Sequence, residues 1–165
     1  MELNFQVQTK IQKPVNEVFD AVYNPQKLNG YFTNGGASAP LEAGTTVEWA
    51  FADTPGEDRI AFPVTVQESV KNERIVLGWQ RSPGKQNRVE MLFEATSEAE
   101  TLVKISESGW DETESDLKRS YGNCMGWSQM LSALKAYTEY GINLRKGAYS
   151  GLYKQSEHGA DAKSV

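Results

Sequence analysis

The sequence is short of the groups on which most enzymes and metal sites are built. It has one histidine, His158, and one cysteine, Cys124. A lone cysteine makes no internal disulfide, and with a single distant histidine it makes no structural zinc site. The scarcity of histidine also removes the commonest general base. No apolar run reaches the roughly 20 residues of a membrane-spanning helix. The opening stretch "MELNFQVQTK" alternates in polarity, where a secretion signal shows a basic start and an apolar block. These absences predict a soluble, cytoplasmic protein with no membrane insertion. Positive charge is scarce too: 17 Lys and Arg stand against 22 Asp and Glu, for a net charge of −5, with no basic run. Such a surface does not attract nucleic acid.

What remains is strongly patterned. A chain of 165 residues suits one domain, expected over residues 1–153, with a polar tail at 154–165 of disordered composition. Phe5, Val7, Thr9 and Ile11 alternate with polar residues as in a half-buried strand. Pro14 then opens a helix with Val15, Val18, Phe19 and Val22 at helical spacing, and Asn24-Pro25 ends it and starts a second, short one. Gly30 to Gly44 is too rich in glycine for a regular element. Five alternating runs follow, carrying Trp49 and Phe51, Phe62 and Val64, Leu77 and Trp79, Met91 and Phe93, and Val103 and Ile105. Short polar connectors between them suit antiparallel hairpins, and Pro63 suggests a bulge or an edge. After Trp110 the period becomes helical, with Leu117, Tyr121, Cys124, Ser128, Leu131, Leu134 and Thr138 on one stripe and a stop at Gly141.

The fold class expected is α+β, a curved antiparallel sheet wrapped around a long C-terminal helix, with two short helices after the first strand. Sheet and helix then enclose a space suited to an apolar ligand. The candidate ligand-binding residues are Trp49, Phe51, Phe62, Trp79, Met91, Phe93, Tyr121, Cys124 and Trp127, with the Tyr121 hydroxyl orienting a polar end. Aromatic stripes more often fill a core, and that reading stands beside the first. Gly122 and Gly126 lie on one face of the long helix and predict close approach of neighbouring backbone, or room for a ligand. Cys124, between them, lacks an activating base and reads as a buried, inert thiol. The carboxylates Glu107, Asp111, Glu112, Glu114 and Asp116 read as a solvated helix start rather than a metal site. "NGGASAP" lacks the lysine and hydroxyl of a phosphate loop. No catalytic residue, metal or cofactor is called for.

Four stretches, "IQKPVNEVFDAVYNPQKLNGYF", "LEAGTTVEWAF", "NERIVLGW" and "GWSQMLSALKAYTEYGINLR", resemble the bacterial family similar to the C-terminal domain of the activator of the Hsp90 ATPase. That family lies within the START-like, Bet v 1-like (SRPBCC) superfamily of helix-grip folds. The resemblance runs from about Val7 to Tyr149 and implies a cavity for small hydrophobic molecules such as lipids, polyketides or flavonoids. The function expected is therefore a carrier or sensor of such a ligand, as a monomer or homodimer. Two alternatives are a partner module directed at a chaperone, and a cyclase- or hydrolase-like enzyme acting through Glu107, Tyr121 or Arg145.

Overall fold

A computed structural model describes residues 1–152; the expected tail at 154–165 lies outside the described residues. Alternation of side chains sets the sheet. Strand β1 (Phe5–Ile11) is followed by helices α1 (Val15–Tyr23) and α2 (Pro25–Leu28), then by β2 (Gly36–Ala37), β3 (Thr46–Phe51), β4 (Ile60–Val70), β5 (Arg74–Ser82), β6 (Lys85–Ser97), β7 (Glu100–Ser108) and helix α3 (Glu114–Tyr140). The seven strands pair antiparallel in the order β1-β7-β6-β5-β4-β3-β2. This is the helix-grip architecture expected from the sequence: one curved sheet around a long helix.

Local chemistry places the helices. The Asn24 side chain caps α2 by accepting from the Gln26 N–H, at 3.0 Å, with Pro25 in the first turn. Thr113 caps α3 by accepting from the Asp116 N–H, and Gly141 closes it in the left-handed conformation, φ 68°, which glycine adopts without a Cβ penalty. The core lies between the sheet and the helices, where Val18, Phe19 and Val22 of α1 and Trp127, Leu131 and Leu134 of α3 meet Trp49, Leu77, Met91 and Ile105.

Two details depart from the sequence reading, and a third settles an alternative it left open. The glycine-rich loop contributes β2, because Gly35 packs so closely on β3 that an added Cβ would lie 2.8 Å from the backbone of Ala50 and Phe51. Pro63 sits in regular register opposite Glu48, on a part of β4 that precedes the pairing with β5, which begins at Thr65↔Gly78. The edge reading suits it, and the bulge falls instead between Val66 and Glu68. The stripe of α3 is also rotated: its buried residues are Asp116, Ser120, Trp127, Met130, Leu131, Ala133 and Leu134, while Tyr121 is 64% exposed. Leu131 and Leu134 of the expected stripe are buried, but its first half falls on the wrong face, because there the helix buries the polar Asp116 and Ser120.

The glycines of α3 are a further difference. A Cβ built on Gly122 or Gly126 meets nothing within 4 Å, so neither holds neighbouring backbone close. Gly126→Ala is therefore expected to raise stability by about 0.5–1 kcal/mol through helix propensity, while Gly35→Ala lowers it because backbone must move. Thermal unfolding of the two variants checks this. Stabilisation by Gly35→Ala or loss of stability in Gly126→Ala would reverse the assignment of tight and open sites.

A candidate ligand pocket beside a buried carboxylate

Period-two alternation carries inward-facing residues along each strand, and at one end of the sheet these become polar. On β7 the buried positions are Thr101, Val103, Ile105 and then Glu107. On β6, Phe93, Met91 and Val89 lead to Asn87, and on β5, Ile75 and Leu77 lead to Trp79 and the buried Arg81. The facing half of α3 answers in kind. Asp116 accepts from Arg81 and from the backbone N–H of Asp111, and Asn123 reaches Glu107.

Glu107 is fully buried. Its Oε1 accepts from Trp79 Nε1 at 3.2 Å, Asn87 Nδ2 at 2.8 Å and Asn123 Nδ2 at 3.0 Å, and its Oε2 accepts from Trp127 Nε1 at 2.9 Å. None of these donors carries a positive charge. Desolvating a carboxylate costs several kcal/mol, and a hydrogen bond to a charged group returns about 1.5–3 kcal/mol. Four donors therefore bring the two effects close. Burial still dominates and raises the Glu107 carboxyl above its ordinary range, against the lowering by Asn87, Trp127, Asn123 and Trp79. The residue thus belongs to no solvated helix start; it joins β5, β6 and β7 to α3 and fixes two indoles.

Those indoles form one wall of a pocket of about 480 Å³. Trp79 and Trp127 stack with ring centres 5.4 Å apart and planes 13° apart. Phe62 meets Trp79 edge-on, and Phe51 stacks on Phe62 at 5.8 Å. Phe32 and Ile60 complete the apolar lining, and Gly122, Asn123, Met125, Gly126 and Gln129 supply the helical side. The glycines thus bare the helix toward the pocket. The mouth is formed by Asp53, Thr54, Glu57 and Asp58 before β4 and by Arg145 and Tyr149 after α3. Arg145 donates to both oxygens of Asp53, at 2.8 and 2.7 Å, and its guanidinium lies 4.6 Å from the Phe51 ring centre. The Gly151 N–H donates to Thr54 Oγ1 at 3.0 Å. The segment after α3 is therefore tied across the pocket mouth.

Of the nine candidates read from the sequence, Phe51, Phe62, Trp79 and Trp127 come together in this pocket. Trp49 lies fully buried behind them, edge-on to Trp79. Met91 and Phe93 are core residues further along β6, and Phe93 packs on Phe19 of α1. Tyr121 points to solvent on α3, so its hydroxyl does not face the pocket, and Cys124 is half-buried and absent from the lining. Phe32, Asn123 and the mouth carboxylates also line the pocket without having been among the candidates, and Arg145, named only for the enzyme alternative, lies at its mouth. A stacked aromatic wall with few polar groups can hold a flat apolar molecule.

The model of the family described as Activator of Hsp90 ATPase homolog 1-like protein matches residues 12–139. The chain belongs to this family. The comparison with curated proteins found no match. Among solved structures, protein SSP2350 from Staphylococcus saprophyticus is similar at 24% identity and a TM-score of 0.71, covering 87% of this chain and 97% of that one. The Aha1 dimer from Colwellia psychrerythraea gives 20% identity and 0.65, covering 86% and 99%. DynU16, a putative protein in the dynemicin biosynthetic locus, gives 23% and 0.70, covering 87% of this chain and 50% of that one. At these identities the likeness is one of fold. Among the described residues of this family member, no helix is long and apolar enough to cross a membrane.

The buried carboxyl makes stability depend on pH. The folded protein binds the Glu107 proton more tightly than the unfolded chain does, so this residue's contribution to stability falls as pH rises from the ordinary carboxyl range to its raised value. Glu107→Gln keeps one acceptor oxygen and turns an amide donor toward the Trp127 N–H. It is expected to cost about 1–3 kcal/mol and to abolish that pH dependence, so the gap between the two proteins narrows as pH rises through the window. Urea unfolding across pH measures both, and parallel curves would contradict the burial-dominated carboxyl.

Proposed function

We propose that the protein carries or senses a small, largely apolar molecule, lipid-, polyketide- or flavonoid-like, held flat against the indole wall between the sheet and α3. The observation that carries this reading is the pocket itself. Six aromatic side chains, Phe32, Phe51, Phe62, Trp79, Trp127 and, at the mouth, Tyr149, line it, and two helix glycines facing them leave open space where any other residue would place a side chain. The glycines supply the room that a packed core would fill.

Carrier or sensor is favoured over enzyme by the site's chemistry. Glu107 is fully buried behind the tryptophans with its oxygens engaged, Tyr121 faces solvent, and the fork of Arg145 is committed to Asp53. These three supply no base or acid placed at a substrate in the pocket. A chaperone partner is supported by family membership alone, since the glycine-rich loop is packed on β3. Unchanged ATPase turnover of an Hsp90-type chaperone on adding the protein would discard that role.

Because Trp79 and Trp127 form the wall, ligand entry should change their fluorescence saturably. Titration with a panel of lipids, flavonoids and polyketides is expected to find at least one such ligand. Gly126→Leu, which puts a side chain into the pocket, should weaken its binding at least tenfold while the fold is retained by circular dichroism. Saturable binding unaffected by Gly126→Leu would place the ligand elsewhere, and no response from any compound would sink the reading.

A further inference from the structure

The charges around the pocket mouth carry a statement about the ligand, resting on the reading of this pocket as a binding site. Four charged side chains line it: Asp53, Glu57, Asp58 and Arg145. Among the described residues Arg145 is the single cation in this lining, and its Nε and one Nη donate to the two oxygens of Asp53 in a largely buried ion pair, so its charge is already balanced. A guanidinium paired in this way keeps three N–H groups, but its positive charge is spent on the carboxylate it holds and adds little attraction for a second anion. Glu57 and Asp58 are exposed beside the opening. The neighbouring Arg59 is turned away, donating to Glu48 at 2.8 Å and to the Gly35 carbonyl. Among the described residues the mouth therefore presents two negative charges that neither Arg145 nor Arg59 compensates.

Behind the mouth, the lining adds to the same preference. Aromatic faces attract cations and offer nothing to anions, and low-dielectric walls focus the field of charges at an opening. The geometry points to a cationic amphiphile as the ligand class: a flat apolar body lying against Trp79 and Trp127, with an amine or quaternary ammonium placed at Glu57 and Asp58. Fatty acids and other anionic lipids are disfavoured, because their head groups would meet Glu57 and Asp58 while Arg145 stays with Asp53.

Three probes that share one apolar body separate charge from shape: naphthylmethyl-trimethylammonium, naphthylmethanol and naphthylacetate. Isothermal titration at low salt is expected to rank them cation, neutral, anion. Exposed charges act weakly in water, so the cation should bind about three- to tenfold tighter than the alcohol. That advantage should fall at high salt and disappear in the double variant Glu57→Gln, Asp58→Asn. Both residues are exposed, so the variant is expected to keep the native circular dichroism. If the alcohol bound as tightly as the cation, or the acetate bound best, the charge preference would be overturned while the pocket reading survived. A cation preference that persisted in the double variant would overturn the assignment to Glu57 and Asp58. Failure of all three probes to bind would overturn the pocket reading and this inference with it.

Discussion

A buried carboxylate whose hydrogen-bond donors are all neutral joins the sheet to the long helix, and the rest of the site is built on it. Glu107 satisfies two indole N–H groups and two side-chain amides at once, and each of those donors, buried without it, would leave an unmet hydrogen bond. The contact fixes how far α3 stands from β5 and β6, and the angle at which Trp79 and Trp127 face each other. An apolar side chain at the same place would leave those donors without an acceptor and both indoles free to turn into the space they border. The node thus serves stability and a defined wall together.

The pocket follows from that arrangement and from two small residues. At its apolar end, α3 is clamped to the sheet by Met130, Leu131 and Leu134. At its first turns it is clamped by Asp116 on the buried Arg81. Between the clamps, Gly122 and Gly126 supply no side chains, so beside the stacked Trp79 and Trp127 open space remains in front of the aromatic side chains of β3 and β4. The mouth is then bounded by the tie from Arg145 to Asp53, which joins the segment after the helix to the loop before β4.

Much of the fold was legible because strands such as β1, β6 and β7 alternate with a period of two and α2 and α3 carry local end signals. Asn24 and Pro25 mark α2, and Thr113 and Gly141 bracket α3, all by local chemistry that distant contacts do not override. The site was legible only in part. Phe51, Phe62, Trp79 and Trp127 follow from aromatic alternation, but the rule that apolar residues face inward misplaced Glu107 and Tyr121. Glu107 is in phase with Val103 and Ile105, and that phase was the available signal; its charge argued for solvent, and only the donors brought by three other elements make burial tolerable. Tyr121 fell on an apolar stripe that the polar contacts of Asp116, Ser120 and Asn123 rotate away. The pocket mouth was not legible at all, because Asp53 and Arg145 are 92 positions apart.

The central claim is that one carboxylate sets both indoles, and the indole N–H resonances of the four tryptophans report on it directly. In the wild-type protein those of Trp79 and Trp127 should appear at the positions of protons bonded to a carboxylate and exchange slowly with solvent. In Glu107→Ala both should shift together and exchange faster, with Trp110 little affected. Resonances of Trp79 and Trp127 that stay in place in the variant would contradict the account.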